Sequence, residues 1–555
     1  MLTDLHTCTS SSRRRTTTPT SSWVASKAVH ILKKNAGMGP KALQTRLQED
    51  HKCTIHYDTV CKGRQKALNE LYGSWEDSFK LLYRWKAQVL LSSPGSVIEI
   101  DTKEVDGKVY FHRFFCALSP CIEGFIEGCR PYISIDSTAL NGSWNGHLAA
   151  ATAIDGHNWM YPLAIGFIDA ETEDNWMWFM TQLHKAIGDI RPLAICTDAC
   201  KGLETAVHHV FPHAEQRECF VHLMKNFIKR FGSAVNSEMY PAARAYRHSV
   251  WEEHMSSILT ACPDVLPWLK NYHALKWMRS GFNPEIKCDY ITNNLAESFN
   301  NWIKDFKDLR VCDLVDKYRE KVMVLWDKRR RIGQMLSGKI LPAVTQQLKA
   351  RTRGLGHLSV IRADSLDAEV CDNSTNNGRH VVKAYLQYCS CEEWQHTGKP
   401  CQHALALITS QQIRDVQIED YVNPYYSVKM FRDAYKRLIE PLPDKSYWPH
   451  VDLPFEVGAP LPRKTVGRNR RLKFKSCLEG GGGKSKAKAA ANETDKGKKQ
   501  MIRGKRKCKG CGELGHTQTS YKCSLNGTKK RQGCSLYFCF FHNLPLFYLI
   551  YSCFY

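Results

Sequence analysis

Apolar residues recur along the centre of the chain with two periods, one typical of strands and one typical of helices. Residues 96–104 and 107–117 alternate between apolar and polar positions, which predicts two β-strands. Three apolar runs predict three further strands; they are residues 132–136, 148–155 and 160–168. The segments that follow are a helix at 174–187, a strand at 193–197, a helix at 202–210, a strand near 214–219 and a helix from residue 221. A run of strands followed by this alternation predicts an α/β domain with a mixed sheet flanked by helices.

The segment before this core has a helical pattern. Apolar residues three and four positions apart predict three short helices between residues 22 and 72. We expect residues 1–20 to be disordered and the whole of 21–95 to be a helical region. Three short helices with basic faces suit a helix-turn-helix that binds DNA. They equally suit a plain helical platform, and both interpretations stay open.

The rest of the chain divides into a core and several smaller parts. In order, these are a core at 96–335 with a helical insertion at about 233–290, a helical connector at 336–367, a zinc module at 368–412, a helical segment at 413–455, a basic linker at 456–507, a second zinc module at 508–523 and a tail at 524–555. Within the first zinc module, residues 368–388 predict a hairpin that turns at Asn377 and Gly378. The low-complexity composition of the linker predicts a flexible chain.

Charge and cysteine content indicate partners for this fold. The formal net charge is +23 over 555 residues, an excess that is typical of proteins with a polyanionic partner such as nucleic acid. A basic solvated surface is the alternative. The 23 cysteines follow an N-terminus without a signal-peptide pattern. We therefore infer a reducing compartment, in which clustered Cys and His residues usually bind metal.

The tail is first basic and then apolar. Its last part, residues 535–555, has the length of a membrane anchor, because about 20 apolar residues span a bilayer. His542, Asn543 and Pro545 interrupt the apolar run. We favour a non-native extension over an anchor and expect no membrane partner.

Three acidic residues are candidates for a site of metal-dependent phosphodiester chemistry. Asp136 ends a run of β-forming residues, and Asp198 follows a short apolar run. Glu297 lies in the first turns of a helix for which Thr292 or Asn293 is the expected N-cap. Divalent ions that prefer carboxylate oxygens can activate a water or a 3′-hydroxyl. Each acid could instead cap a turn or a helix or be solvated, and spacing alone does not select these three from 55 acidic residues.

A resemblance to a known family does select them. The segments that carry it are IDSTAL at 135–140, AIDG at 153–156, YPLA at 161–164, NWMWF at 175–179, TDACKGL at 197–203, RECFVH at 217–222 and NLAESFN at 294–300. In this order they resemble the motifs of plant Mutator-like (MULE) transposases. The resemblance implies an RNase H-like core, catalytic roles for Asp136, Asp198 and Glu297, and Mg²⁺ or Mn²⁺ at their site. Ser137 departs from the family pattern, in which glycine is common at that position.

Cys219 and His222 belong to the segment that resembles the family's Cys-x-x-His signature. On a helix, positions i and i+3 share a face, so both side chains could bind one metal ion. A buried thiol beside a hydrogen-bonded imidazole is the alternative. We keep the pair as an accessory candidate outside the catalytic set.

Cys389, Cys391, Cys401 and His403 have the spacing Cys-x-Cys…Cys-x-His. Zinc takes four nitrogen or sulfur ligands in a tetrahedron, which a hairpin end and a helix start can supply. Four unrelated buried residues are the alternative. The spacing resembles the SWIM zinc finger, which commonly follows a MULE transposase core.

Cys508, Cys511, His516 and Cys523 form a second Cys/His pattern, which resembles a CCHC zinc knuckle. The six residues before Cys523 replace the usual four, a departure that bears on knuckle geometry more than on zinc binding. Basic residues around the pattern suit contact with phosphates, and RNA or single-stranded nucleic acid is a possible ligand. A metal-free basic tail is the alternative.

Three functions remain open on this basis. The resemblance implies a nuclear transposase that binds terminal inverted repeats and target DNA, self-associates, and holds Zn²⁺ in its two modules and Mg²⁺ or Mn²⁺ at its acids. A domesticated relative, similar to the plant far-red-response regulators, would bind DNA without cutting it; lost acids would favour it, and all three acids are present. A non-enzymatic zinc adaptor leaves the motif series at 130–300 unexplained.

Overall fold

The structure is a computed structural model, and it describes residues 18–461 except 36–37, 143, 145, 233–236, 375–377 and 411–416. The second zinc module at 508–523, the tail and most of the predicted linker lie outside the described residues. So do the turn residues 375–377 of the predicted hairpin.

Twelve strands form two sheets within the described residues. They are β1 (Val97–Val105), β2 (Lys108–Ala117), β3 (Arg130–Ala139), β4 (His147–Ile154), β5 (Met160–Ile168), β6 (Ala194–Thr197), β7 (Glu215–Glu218), β8 (Leu358–Arg362), β9 (Asp367–Asp372), β10 (Gly378–Lys383), β11 (Tyr388–Cys389) and β12 (Val457–Gly458). The main sheet has the order β1-β2-β5-β4-β3-β6-β7, with β12 paired to β2, and the small sheet has the order β11-β10-β9-β8. The strands expected from alternation and from apolar runs are all present, so the mixed α/β sheet is confirmed.

The centre of the main sheet has one strand that opposes its neighbours. β4 pairs antiparallel with both β3 and β5, whereas β6 pairs parallel with β3 and with β7. Strands β5, β3, β6 and β7 therefore run in one direction. Their carboxyl ends lie at the same edge of the sheet.

Alternate residues of β3 and β6 enter two separate cores. Ile133 and Ile195 belong to the large core of the protein. Tyr132 and Cys196 belong to a smaller core on the other face, together with Leu295 from a later helix. Successive side chains of a strand point to opposite faces, so both faces of the central strands are covered. This burial explains why these strands are continuous apolar runs in the sequence.

Helices occupy both flanks of the sheet and the N-terminal part of the described chain. They are α1 (Ser21–Lys34), α2 (Pro40–His51), α3 (Tyr57–Tyr72), α4 (Asp77–Ser92), α5 (Ser119–Gly128), α6 (Glu173–Ile187), α7 (Lys201–Val210), α8 (Phe220–Phe231), α9 (Met239–Arg244), α10 (His248–Ala261), α11 (Val265–Tyr272), α12 (Asn294–Trp302), α13 (Val311–Met335), α14 (Pro342–Thr352), α15 (Glu393–Thr397), α16 (Gln402–Ser410) and α17 (Val428–Tyr435). The helices expected after β5, β6 and β7 are present as α6, α7 and α8. The largely helical character of the insertion is present as α9 to α11.

The first three helices form a small bundle with its own apolar core. α1 and α3 approach closely at Gly63, where a Cβ atom would overlap the side chain of Val24. Arg64 on α3 makes a 2.9 Å ion pair with Asp308, which ties the bundle to the segment before α13. Thr20 caps α1 by accepting the backbone N–H of Trp23 at 3.2 Å, so the disorder expected for residues 1–20 is wrong at its last residue.

Helix α5 is an element that the apolar pattern missed. Two glycines, Gly124 and Gly128, lower its intrinsic helix propensity. Both lie against α17, where a Cβ atom at either position would overlap the backbone of Ala434. The close packing of the two helices therefore requires residues that weaken the helical signal.

Three expectations for the second half of the chain need correction. The connector at 336–367 is not helical throughout, because β8 lies within it and pairs antiparallel with β9. The segment at 413–455 contains α17 and short 3₁₀ turns but no other α-helix among its described residues. The predicted linker begins too early, because β12 pairs with Val109 and Tyr110 of β2. Strands this short are set by backbone pairing and leave little pattern in the sequence.

A buried polar network joins the sheet to the C-terminal helices. Asp155, at the turn between β4 and β5, is fully buried and accepts the hydroxyl of Tyr435 at 2.8 Å. Arg329 of α13 donates to the same hydroxyl at 2.6 Å. Arg130 at the start of β3 donates to the hydroxyl of Tyr426 at 3.2 Å. Arg329, which stands in the basic sequence KRRR at 328–331, thus lies in the interior.

Candidate metal centres

The first candidate site lies at the carboxyl edge of β3 and β6. Ser134 and Cys196 are partners in the parallel register of these two strands. Asp136 and Asp198 each follow two residues later, so both emerge at the same edge of the sheet. Two of the three predicted acids, separated by 61 intervening residues in the chain, are therefore neighbours in the fold.

Asp136 is held by hydrogen bonds at this edge. Its Oδ1 accepts the backbone N–H of Ser137 at 2.8 Å, and its Oδ2 accepts Nδ2 of Asn300 at 3.0 Å. Burial raises the pKa of Asp136 to about 7, and the negative charges of Asp198 and Glu171 add to the rise. A cation at this edge would favour the ionised carboxylate and relieve the repulsion.

Asp198 lies between β6 and α7 in a similar environment. Burial raises its pKa, and the nearby His222 opposes that rise. The charges of Glu171 and Glu204 add to the rise. Two carboxyls with raised pKa values at one edge form an electrostatically strained pair, which is frequent at functional sites.

Glu297 lies on the first turn of α12, and this helix packs across β3 and β4. Residues 293, 297 and 300 are spaced by four and three positions, so they share one side of the helix. Two of them contact β3: Asn293 through the carbonyl of Ile135, and Asn300 through Asp136. Glu297 is thus on the side of α12 that meets β3, and its side chain is exposed.

The three acids are not gathered into a closed ligand set. Among residues 18–461, as far as they are described, only a later Cys/His cluster has three or more ligand atoms within 4.8 Å of one another. Asp136 and Asp198 are brought together, and Glu297 stays open to solvent at the start of α12. Hard carboxylate oxygens at an accessible edge fit Mg²⁺ or Mn²⁺, and Asp136, Asp198 and Glu297 are the residues that would hold such an ion.

Glu171 is an acidic residue of this edge that sequence reasoning missed. It follows β5 and precedes α6, and its Oε1 accepts the hydroxyl of Ser137 at 2.7 Å. Its charge contributes to the raised pKa values of both Asp136 and Asp198. The available signal was its position three residues beyond the end of β5, a strand that runs parallel to β3, although Asp198 follows β6 directly.

Cys219 and His222 lie near different residues of this site. Cys219 is buried at the start of α8, and its Sγ accepts the backbone N–H of Asn293 at 3.2 Å. Burial raises the pKa of the Cys219 thiol, and the charge of Glu297 adds to that rise. His222, one turn later, opposes the rise in the pKa of Asp198 through its charge. The thiol thus contacts the start of α12, whereas the imidazole faces the second aspartate.

The second candidate site is the Cys389, Cys391, Cys401 and His403 cluster. Its four ligand atoms all lie within 4.8 Å of one another. His403 Nδ1 is 3.7 Å from Cys389 Sγ and 3.8 Å from Cys401 Sγ. A tetrahedron with Zn–S of about 2.3 Å and Zn–N of about 2.0–2.1 Å has edges of about 3.5–3.8 Å. The cluster therefore fits a zinc ion, bound through Nδ1 of the histidine.

The surroundings of the cluster hold its ligands in place. Gln395 of α15 accepts the backbone N–H of Cys389 at 3.2 Å and donates to its carbonyl at 2.8 Å. The His380 ring stacks on His403 with centroids 4.0 Å apart. Hydrogen bonds from Cys389 and Cys401 lower the pKa of Cys391, which favours the thiolate that a metal needs.

Two expectations concern regions that lie outside the described residues. The second Cys/His set, Cys508, Cys511, His516 and Cys523, lies outside the described residues. The apolar tail lies outside them too. Within the described residues, none of the helices combines the length and the apolar character needed to cross a membrane.

Comparison with known families matches two segments of the chain. Residues 132–226 match the MULE transposase domain, and residues 375–412 match the SWIM zinc finger. Two segments of the chain thus resemble, in this order, a MULE transposase domain and a SWIM zinc finger. This pair of domains is the one that the sequence motifs predicted. The MULE match contains Asp136 and Asp198 and ends before Glu297.

The chain is also similar to three curated proteins of Arabidopsis thaliana. Protein FAR1-RELATED SEQUENCE 6 is 31% identical over 121 residues, which are 22% of this chain and 17% of that protein. Protein FAR1-RELATED SEQUENCE 5 is 25% identical over 191 residues, 34% of this chain and 24% of that protein. Protein FAR-RED IMPAIRED RESPONSE 1 is 23% identical over 296 residues, 50% and 32% of the two chains. The matched part thus spans less than a third of each relative.

Proposed function

We propose that this chain is a DNA transposase of the Mutator-like type, with an RNase H-like core that cleaves and transfers DNA strands. One observation carries the proposal: Asp136 and Asp198 emerge from adjacent parallel strands while α12 brings Glu297 to the same side of the sheet. The order β5-β4-β3-β6-β7, in which β4 alone is antiparallel, supports the RNase H-like assignment.

In this function, Asp136, Asp198 and Glu297 would hold Mg²⁺ or Mn²⁺, which supplies the activation of a water or a 3′-hydroxyl and the neutralisation of the leaving oxygen. The chain's own residues prepare the site. Asn300 and Ser137 orient the Asp136 carboxylate by donating to its two oxygens. His222 reduces the proton affinity of Asp198. Both effects favour carboxylates that are ready to bind a cation.

DNA is the partner that this chemistry requires. The net charge of +23 supports contact with the phosphate backbone by counterion release. A chromosomal substrate implies a nuclear location, and pairing of two transposon ends implies self-association. Zn²⁺ in the SWIM cluster would stabilise the small sheet, and the CCHC-like module would add contacts to RNA or single-stranded nucleic acid.

A cleavage assay on the full chain tests the proposal. The substrate is DNA that carries the terminal inverted repeats flanking the coding sequence, with Mg²⁺ or Mn²⁺. We expect Asp198→Asn to reduce cleavage at least about 100-fold, because it removes a metal ligand. Asp189→Asn, which alters an exposed acid paired with Arg191, is the matched control and should cut normally. Equal cutting by the wild type and Asp198→Asn would reject the metal site.

A second function is favoured by the names of the relatives. The three Arabidopsis proteins are named for FAR1 or for a far-red response, and none of these names refers to transposition. The alternative is a domesticated MULE-derived regulator that binds DNA and does not cleave it. Specific binding of DNA by the wild type without cleavage in either metal would favour this function.

A further inference from the structure

The side chain of Asn293 does not make the hydrogen bond that its position at the start of a helix predicts. It occupies the N-cap of α12, where an asparagine usually accepts a backbone N–H of the first turn. No such hydrogen bond is present. Instead, Nδ2 donates to the carbonyl of Ile135 at 3.1 Å, and Oδ1 accepts the hydroxyl of Ser134. Both partners lie on β3, immediately before Asp136.

The surroundings of Asn293 make these contacts selective. Asn293 and Ser134 are 2% and 0% exposed, so each polar atom must find its partner within the protein. The backbone N–H of Asn293 donates to the buried Cys219 thiol at 3.2 Å. One residue thus joins the start of α12 to β3 and to the start of α8.

Glu297 lies between two attachment points on α12. Asn293 is four residues before it and bonds to β3, and Asn300 is three residues after it and bonds to Asp136. Asn300 contacts a predicted metal ligand directly. Asn293 contacts no predicted catalytic residue itself, so we assign its effect on the site to the position of α12 relative to β3.

We propose that Asn293 is the positioning residue that fixes Glu297 in register with Asp136, by anchoring α12 to β3. This inference rests on the proposed function, because it assigns Asn293 to the same metal site. The Asn293 amide accepts from one residue of β3 and donates to the next. These two hydrogen bonds fix the position of α12 along β3 and its rotation about its own axis. Loss of that match lets the helix start shift while the apolar core under Leu295 and Phe299 keeps it attached.

The test is a double-mutant cycle read by Mn²⁺ binding to the zinc-loaded full chain, with free Mn²⁺ followed by electron paramagnetic resonance. We expect Asn293→Ala to weaken Mn²⁺ affinity about 10-fold and Glu297→Gln to weaken it about 10- to 100-fold. The double variant should lose less affinity than the product of the two single losses, because Asn293 acts mainly through the position of Glu297. Multiplicative losses in the double variant would overturn the inference, as would unchanged affinity in Asn293→Ala.

Two further variants separate positioning from general stability. Ser134→Ala removes one of the two contacts of the Asn293 side chain and should weaken Mn²⁺ binding in the same direction but less, so it replaces Asn293→Ala should that variant not fold. Thr152→Val is the control, because Thr152 donates to the carbonyl of Ser134 at 3.2 Å from β4. It should lower thermal stability and leave Mn²⁺ affinity unchanged. A loss of affinity in Thr152→Val equal to that in Asn293→Ala would overturn the inference.

Failure of the proposed function has a different signature. If Glu297→Gln and Asp136→Asn bind Mn²⁺ as the wild type does, the carboxylate site itself is rejected, and the role of Asn293 is rejected with it. If those two variants lose affinity and Asn293→Ala does not, only the positioning role is rejected.

Discussion

The two candidate metal centres are built in opposite ways. The SWIM cluster takes all its ligands from the 15 residues between Cys389 and His403, and their ligand atoms lie within 4.8 Å of one another. The carboxylate edge, which is the site of Asp136, Asp198 and Glu297, takes its acids from β3, from the end of β6 and from α12. It leaves Glu297 exposed. A local site is closed by its own segment, whereas a distributed site depends on the packing of the whole core.

Among the variants that test this difference between the two sites, removal of a zinc ligand has the largest expected effect on the protein. Cys391→Ser should reduce the zinc content of the full chain by one equivalent and make residues 368–410 sensitive to protease. A structural zinc site contributes apparent binding energy of about 10–16 kcal/mol, and a lost thiolate removes much of it. Elemental analysis of zinc and limited proteolysis measure the two effects.

Cys371→Ser is the matched control for that variant. Cys371 lies on β9 in the same small sheet and outside the ligand cluster. It should keep full zinc content. Equal zinc in wild type and Cys391→Ser would count against the ligand set and against the idea that this site is locally closed.

Sequence patterns predicted more of the zinc site than of the carboxylate site. The spacing of Cys389, Cys391, Cys401 and His403 predicted a cluster that the structure brings together, because hairpin and helix start are adjacent in the chain. For the acids, apolar runs predicted β3 and β6, at whose ends Asp136 and Asp198 stand, but the family resemblance selected these two and Glu297 from the 55 acidic residues. For Glu297, no local pattern fixes where α12 packs.

The missed features share one physical cause, which is contact between distant segments. Gly124 looks unfavourable for a helix until α17 is packed against it. Asn293 looks like an ordinary helix cap until the carbonyl of Ile135 is beside it. Glu171 becomes part of the carboxylate edge only once Ser137 lies at hydrogen-bond distance. Each of these roles is set by tertiary packing, which a single sequence does not display.

The buried hydrogen-bond network at Asp155 tests how far the core, on which the carboxylate site depends, is stabilised by contacts between distant segments. Tyr435→Phe removes a hydroxyl that donates to Asp155 at 2.8 Å and accepts from Arg329 at 2.6 Å. Two buried charged groups then lose a partner, and we expect a loss of about 1–3 kcal/mol in the free energy of unfolding. Urea denaturation followed by tryptophan fluorescence measures the loss.

An exposed tyrosine provides the control for the network variant. Tyr447 is 78% exposed, and Tyr447→Phe should change the free energy of unfolding by less than about 0.5 kcal/mol. Zinc content should stay at the wild-type value in both variants, since neither residue is a zinc ligand. A Tyr435→Phe variant as stable as Tyr447→Phe would show that the network contributes little to the core.

The smallest expected effect is a dependence of metal binding on pH at the carboxylate edge. Burial raises the pKa of Asp136 to about 7, above its usual value of 3.8, so the folded metal-free chain holds a proton there that the unfolded chain has lost. The stability that this proton contributes is present at low pH and is lost as pH rises through about 7.

Mg²⁺ must displace the Asp136 proton at pH 6 and finds a free carboxylate at pH 8. The Mg²⁺-induced increase in thermal midpoint should therefore be larger at pH 8, corresponding to about tenfold tighter binding for one titrating group. Asp136→Asn should reduce this pH dependence, and an equal Mg²⁺ effect at both pH values in the wild type would contradict the assignment of Asp136 as a ligand.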